Sequence, residues 1–209
     1  MAIPGTDEEL WQQLRSGYEP AFVELMRRYH GPLVGYARKL TPDNALAEDA
    51  IQDLFIYLWT NAQTLSQTTA VRPYLLASLR RRLVRSMHRD RWLLATAPDD
   101  LDTTFLVQFS IEESLIESET QQQQLRQLNH LLNRLPTRQR EALYLKFYQN
   151  LTNEQIAEVM HIGYQSATNM IHRALVFLRQ HWFEEFTPLL LVILFLEKIG
   201  CLSNYVESV

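Results

Sequence analysis

Apolar residues recur at spacings of three and four along most of the chain, which is the period of an amphipathic α-helix. The clearest case runs from Ala45 to Trp59. Its apolar face consists of Ile51, Leu54, Phe55 and Leu58. A second seam, at residues 76–87, follows Pro73, a residue that favours the first turn of a helix. Because short alternating runs are few, the pattern predicts an all-α fold.

Signals for helix ends divide this pattern into separate helices. Thr6 to Glu9 and Thr152 to Gln155 each fit a capping box, which opens a helix. Gly31 and Pro32 predict a break between one helix at about 21–30 and another at about 33–40. The polar segment 61–70 lacks periodicity and predicts a loop.

Charge is distributed unevenly, although the formal net charge is only −4. Residues 72–91 carry +6, residues 96–120 carry −7, and residues 121–182 carry +4. This pattern predicts two small helical domains joined by an acidic linker. We place the domains at 1–95 and 121–182, the linker at 96–120, and a hydrophobic C-terminal extension at 183–209.

The single cysteine, Cys201, cannot form an intramolecular disulfide, and the N-terminus does not resemble a signal peptide. A cytoplasmic protein is therefore expected. The extension contains eight consecutive apolar residues, from Leu189 to Leu196, whereas a membrane span needs about twenty. It predicts an added helix packed on the second domain, without membrane insertion.

Residues 151–179 fit a helix-turn-helix, in which Gly163 is expected to allow the sharp turn. The second helix presents a polar outer face: Gln165, Ser166, Thr168, Asn169, His172 and Arg173. Short polar side chains near the start of a helix suit base edges in the major groove. The alternative is a helical hairpin with a solvated face.

The helix at 45–59 carries acidic and amide side chains opposite its apolar face: Glu48, Asp49, Gln52 and Asp53. Three interpretations are possible for these side chains: a solvated face, a surface that binds a basic partner, or a metal site. Metal is disfavoured because hard cations need several converging oxygen ligands, and no second acidic helix provides them.

The helix after Pro73 is rich in arginine. Its candidate nucleic-acid contacts are Tyr74, Arg80, Arg81, Arg85, His88 and Arg89. Like charges at this density repel one another unless a polyanion lies against them. Nucleic acid is favoured over the alternative, a solvated face.

These segments, taken in order, resemble the extracytoplasmic-function (ECF) subfamily of bacterial RNA polymerase sigma factors. Residues 47–59 are similar to the helix with which that family docks on polymerase. Residues 72–91 resemble the segment that opens and recognises the −10 promoter element. Leu135-Pro136, Arg140-Glu141 and residues 151–179 resemble the domain that recognises the −35 element.

The resemblance implies a sigma factor that binds core RNA polymerase and promoter DNA, with no cofactor, no metal and no catalytic residues. It assigns polymerase binding to the acidic face at 48–53, −10 recognition to the arginine-rich helix, and −35 recognition to the polar face at 165–173. The loop at 61–70 is expected to hold a flipped base. An anti-sigma factor, in some cases membrane-bound, is an expected partner. The family commonly has glycine where His161 stands.

Two other functions remain open on the residues alone. A stand-alone helix-turn-helix regulator would bind duplex promoter DNA without polymerase, usually as a dimer. An all-α metal-dependent nucleotide hydrolase would use Glu48, Asp49 and Asp53, and would need a divalent metal.

Overall fold

The computed structural model describes residues 5–93 and 119–185, and within them every regular element is helical. The predicted all-α fold is confirmed. The helices are α1 (Asp7–Arg15), α2 (Glu19–Leu40), α3 (Asn44–Thr60), α4 (Val71–Leu93), α5 (Glu119–Arg134), α6 (Thr137–Leu143), α7 (Asn153–Met160) and α8 (Tyr164–Glu185). A 3₁₀ turn (Ala62–Thr64) follows α3, and a π-helical turn (Tyr144–Tyr148) follows α6. Most of the predicted linker and of the C-terminal extension lies outside the described residues.

Helices α1 to α4 form an N-terminal bundle around the apolar faces that the sequence pattern predicts. Thr6 closes the expected capping box with Glu9 at the start of α1. The predicted face of α3 is buried throughout: Ile51, Leu54, Phe55 and Leu58. Helix α1 is joined to α2 through Asp7, which accepts hydrogen bonds from Arg28 (3.0 Å) and from the Tyr29 hydroxyl.

The expected break at Gly31 and Pro32 is wrong, because α2 continues from Glu19 to Leu40 with Pro32 inside it. A proline in a helix interior costs about 3 kcal/mol. On either side of Pro32, however, the helix buries Tyr29, Leu33 and Tyr36, each at most 3% exposed. Burial of large apolar side chains contributes about 1.5–3 kcal/mol each, which outweighs the local preference.

Helices α5 to α8 form a C-terminal bundle that contains the predicted helix-turn-helix in α7 and α8. Thr152 closes its capping box with Gln155 and opens α7. Ile156 and Ala157 are buried, as predicted, and so are Ala167, Ile171 and Ala174 of α8.

The turn between α7 and α8 differs from the expectation in one respect. His161, not Gly163, takes the left-handed conformation, with φ 52° and ψ 51°. Gly163 instead precedes α8 and accepts a backbone hydrogen bond from Ala167 at 3.0 Å. Glycine is tolerated at a helix N-cap, so Gly163 serves the helix start and not the bend.

The two bundles lie against each other, with α4 of the first packed on α7 of the second. This closed arrangement brings the arginine-rich helix against the helix-turn-helix.

Candidate nucleic-acid interface

The acidic face of α3 is open to solvent. Asp43 caps the helix by accepting hydrogen bonds from the backbone N–H groups of Ala45 and Leu46. Further along the helix, the four side chains predicted for this face are all exposed: Glu48, Asp49, Gln52 and Asp53. Glu48 lies 4.0 Å from Arg38, an exposed ion pair of the kind that contributes little to stability. No cluster of three or more His, Cys, Asp or Glu residues suited to a metal ion occurs among the described residues.

Exposed apolar side chains lie beside this acidic face, and sequence reasoning missed them. Ile56 is 63% exposed and Trp59 is 41% exposed on α3, while Val23 is 48% exposed on α2. The Trp59 ring packs 5.2 Å from that of Phe22, which ties the two helices together at this point. Ile56 lies three positions after Asp53, so the charged and the apolar residues are neighbours on the helix. The sequence did contain a signal for these exposed side chains, because Ile56 and Trp59 are apolar but fall outside the predicted buried face of α3.

The segment between α3 and α4, residues 61–70, is held at its beginning by local contacts. Ala62 and Leu65 are buried, and the Thr64 hydroxyl donates to the Asn61 carbonyl at 2.9 Å. Its exposed side chains are polar and uncharged: Gln63, Thr64, Ser66, Gln67 and Thr69. Such side chains can donate and accept hydrogen bonds, but because they are uncharged they are not strongly attracted to phosphate.

The predicted arginines of α4 divide into two groups. Arg81 and Arg85 are exposed, and Arg81 approaches the His161 ring, with its Nη2 atom 3.0 Å from Nε2. Arg80, in contrast, is only 12% exposed and faces the C-terminal bundle. The side chains of His88 and Arg89 lie outside the described residues.

Two further side chains of α4 contact aromatic rings of the N-terminal bundle. Tyr74, a predicted nucleic-acid contact, is half-buried against Trp11 with ring centroids 5.0 Å apart. Arg82 lies over the Tyr57 ring at 4.8 Å. Burial raises the pKa of Tyr74.

A buried carboxylate joins the two bundles. Glu141, on α6, is 1% exposed and accepts hydrogen bonds from Arg80 Nε at 2.7 Å, Arg80 Nη2 at 3.1 Å and the Tyr36 hydroxyl at 2.6 Å. Burial raises the pKa of Tyr36 well above its usual value, and the charge of Glu141 adds to this effect. Burial alone would lower the pKa of Arg80, but the hydrogen bonds and charge of Glu141 outweigh it and raise that pKa.

Aromatic and backbone contacts extend around this ion pair. Tyr36 stacks on Tyr144 across the bundle boundary, with centroids 6.0 Å apart and planes 8° from parallel. Arg72, at the start of α4, donates to the Gln149 carbonyl at 3.3 Å. Three arginines of α4 are therefore engaged by the C-terminal bundle: Arg72, Arg80 and Arg81.

The predicted outer face of α8 is largely available. Five of its six residues are exposed: Gln165, Ser166, Asn169, His172 and Arg173. Gln165 donates to Asn169 at 3.3 Å along the helix. Thr168 is half-buried and accepts a hydrogen bond from Asn153 of α7 at 3.2 Å, so it helps to set the angle between the two helices.

Two regions of one known protein family match the chain. Sigma-70 region 2 matches residues 25–93, which contain α3 and α4, and Sigma-70, region 4 matches residues 125–178, which contain the helix-turn-helix. The chain belongs to the sigma-70 family of RNA polymerase sigma factors. Its function is to direct transcription initiation, as the sequence resemblance predicted.

Curated relatives confirm the ECF resemblance. The ECF RNA polymerase sigma factor RpoE of Cereibacter sphaeroides is 27% identical over 164 residues, which are 78% of this chain and 87% of that protein. The RNA polymerase sigma-E factor of Streptomyces avermitilis is 26% identical over 160 residues, covering 76% and 83% of the two chains.

Among solved structures, CnrH in complex with the cytosolic domain of CnrY has a similar fold. Its TM-score is 0.56 at 19% identity, over 86% of this chain and 99% of CnrH. Within the part of this sigma factor that the structure describes, no helix is both long and apolar enough to cross a bilayer.

Proposed function

We propose that this sigma factor docks on core RNA polymerase through α3, recognises the −10 element through α4 and segment 61–70, and recognises the −35 element through α8. The proposed division is a docking and −10 domain at 1–95, a linker at 96–120 and a −35 domain at 121–182. The protein itself carries out no catalysis, and it works where polymerase works, in the cytoplasm.

The docking surface is supported by the exposed acidic face of α3 and its apolar neighbours. Glu48, Asp49, Gln52 and Asp53 provide the charge that selects a basic partner and speeds encounter. Ile56 and Trp59 provide the apolar area that such a contact needs at its centre.

The −10 surface combines two kinds of contact. Exposed arginines of α4, including Arg81 and Arg85, suit the phosphate backbone. The uncharged side chains of segment 61–70 suit base edges of an unpaired strand, because they offer directional hydrogen bonds and little net attraction to phosphate. On α8, the exposed Gln165 and Asn169 suit base edges in the duplex −35 element, and the exposed Arg173 suits phosphate.

The observation that carries the proposal is that the α3 face is open while part of the α4 face is covered. In the closed arrangement Arg80 is covered by its ion pair with Glu141, and Arg81, although exposed, hydrogen-bonds the His161 ring. The free chain therefore offers a docking surface for polymerase but an incomplete surface for the −10 strand. A stand-alone regulator would need no such partner, so this asymmetry favours docking first and promoter binding second.

A gel-shift with promoter DNA, with and without core polymerase, tests the proposal. We expect a promoter complex only when core is present. Asp53→Arg is expected to weaken core binding at least tenfold, since reversing a charge at an interface costs about 1.4 kcal/mol or more. Glu158→Arg, an exposed acid outside α3, is the matched control and should bind core normally. Unassisted binding of duplex promoter DNA by the wild-type chain would instead support the stand-alone regulator.

An anti-sigma factor belongs to the same proposal as a partner. CnrH shares the fold and is solved with the cytosolic domain of another protein, CnrY, so this fold accommodates a protein ligand. Co-purification from cells with a tagged chain, compared between wild type and Asp53→Arg, would show whether such a partner uses the same face as polymerase.

A further inference from the structure

We propose that Trp11 is a positioning residue for promoter recognition, because it fixes the backbone of segment 61–70. The inference rests on the proposed function of that segment in recognising the −10 element. It assigns a role to α1, which lies outside both matched sigma-70 regions.

The central contact is a hydrogen bond between distant parts of the chain. The Trp11 indole Nε1–H donates to the Ser66 carbonyl at 3.0 Å, across 55 positions of sequence. Trp11 itself is fully buried, so its ring cannot move away without opening the bundle. The carbonyl that it holds lies in the middle of the segment, between the exposed side chains of Ser66 and Gln67.

Other contacts fix the two ends of the segment but not its centre. At the beginning, Leu65 and Ala62 are buried and the Leu65 N–H donates to the Asn61 carbonyl at 3.1 Å. At the end, the Tyr74 N–H donates to the Ala70 carbonyl at 3.2 Å, which joins the segment to α4. Trp11 adds the tie between these ends, and its ring also packs edge-on against Tyr74.

Helix α1, which carries the Trp11 indole, is itself held in place by contacts with the rest of the bundle. Helix α1 is held to α2 by Asp7, which accepts from Arg28 at 3.0 Å and from Tyr29. Arg28 also binds the buried carboxylate of Glu24 at 2.8 Å. The indole is therefore mounted on a fixed support, which a residue needs if it is to set the position of a binding segment to within a fraction of an ångström.

The functional consequence follows from the chemistry of the exposed side chains. Uncharged donors and acceptors distinguish bases only when their positions are fixed, because hydrogen bonds weaken steeply as distances and angles depart from the optimum. Releasing the Ser66 carbonyl lets Ser66 and Gln67 shift together. Discrimination among −10 bases then falls, while docking on polymerase through α3 and contact with the −35 element through α8 are unchanged.

The test removes the indole N–H, in one variant with the bicyclic ring kept and in the other with a smaller aromatic ring. Trp11 is replaced by benzothienylalanine, in which sulfur stands where the indole N–H was, and separately by phenylalanine. Leu14→Val, a buried change on the same helix, is the matched control for general loosening of the bundle. Each full-length variant is examined by amide hydrogen exchange across 61–70 and by run-off transcription with core polymerase on a promoter pool randomised at the −10 element.

We expect both Trp11 variants to speed exchange at 66–68 and to reduce the preference among −10 sequences by about fivefold, the effect of one ordinary hydrogen bond. Core affinity should stay at the wild-type value, and Leu14→Val should lower the melting temperature without changing the preference. Unchanged exchange at 66–68, or faster exchange with an unchanged −10 preference, overturns the inference. If the wild-type chain and core together give no promoter-specific transcript, the proposed function fails and this inference with it, which the variants alone would not show.

Discussion

Replacing Glu141 by glutamine should open the closed arrangement of the two bundles. The substitution keeps the size of the side chain and one acceptor oxygen, but it removes the charge that faces Arg80 at 2.7 and 3.1 Å. Arg80, 12% exposed, is then left without its counter-charge. Removing one member of a buried ion pair costs about 3–5 kcal/mol.

That cost falls almost entirely on the closed arrangement. Once the bundles separate, water hydrates Arg80 whether residue 141 is Glu or Gln. Even the lower figure of about 3 kcal/mol changes the ratio of closed to open molecules by about 150-fold. The second contact with Glu141, from the Tyr36 hydroxyl at 2.6 Å, can be kept by the amide oxygen of glutamine, so the lower figure is the relevant one.

Two measurements follow the opening. Energy transfer between dyes at exposed positions of the two bundles, Gln12 on α1 and Glu158 on α7, reports separation once Cys201 is replaced by serine. Binding of a single-stranded oligonucleotide to the free chain reports whether α4 becomes available. We expect lower transfer and at least tenfold tighter binding for Glu141→Gln, with helix content by circular dichroism unchanged.

An exposed glutamate changed in the same way, Glu154→Gln, is the control and should leave both signals at the wild-type level. If Glu141→Gln keeps full energy transfer and weak oligonucleotide binding in a folded protein, the ion pair does not hold the bundles together. Docking on polymerase would then not need to precede promoter binding.

Two further substitutions probe other parts of the structure. Asn169→Ala should reduce the preference for the −35 sequence by about 1–3 kcal/mol at the affected base, while binding to core polymerase survives. Transcription from promoters mutated at −35 measures this preference. Selectivity equal to that of wild type would remove Asn169 from the recognition surface. Hydrogen bonds from Arg27, and then from Arg28, lower the pKa of Glu24 to about 2 from 4.5, so its carboxylate stabilises the fold above pH 4.5 and that contribution is lost as the pH falls toward 2. Glu24→Gln should therefore melt at a lower temperature than wild type at pH 7, with the difference shrinking below pH 4.5; a difference independent of pH would show that the ion pairs are not its source.

The helices could be predicted because their signals are local. The faces of α3 and α8 follow from residue spacing alone, and both capping boxes depend on residues three positions apart. The same local reasoning failed at Pro32, where the helix is continued by burial of residues that contact other helices. It also assigned the turn after α7 to Gly163, although the left-handed residue is His161. The first outcome cannot be obtained without the tertiary contacts, whereas the second goes with local backbone hydrogen bonds at the helix end, such as that from the Ile162 N–H to the Ala157 carbonyl at 3.0 Å.

The exposed surfaces of the site could be predicted, whereas its closed arrangement could not. Glu48 to Asp53 and most of the 165–173 face are exposed where helical periodicity puts them. The pairing of Arg80 with Glu141 joins residues 61 positions apart, and that of Tyr36 with Glu141 joins residues 105 apart. In the sequence Glu141 is one acid in a basic block, and nothing in its neighbours distinguishes a buried carboxylate from a solvated one.

The contact between the bundles includes a buried ion pair. A buried ion pair contributes no more to stability, and often less, than apolar residues of similar volume would, because both charges lose water when the pair forms. When the bundles separate, the same charges regain their hydration. An ionic contact also exposes less apolar surface to water than an apolar contact of the same area would. In the proposed function, Arg80 would then exchange the carboxylate of Glu141 for a phosphate of the promoter, which a guanidinium binds with the same two-pronged geometry. Under the proposed function, an arginine held by a carboxylate is kept from DNA in the free protein and becomes available to DNA when the bundles separate.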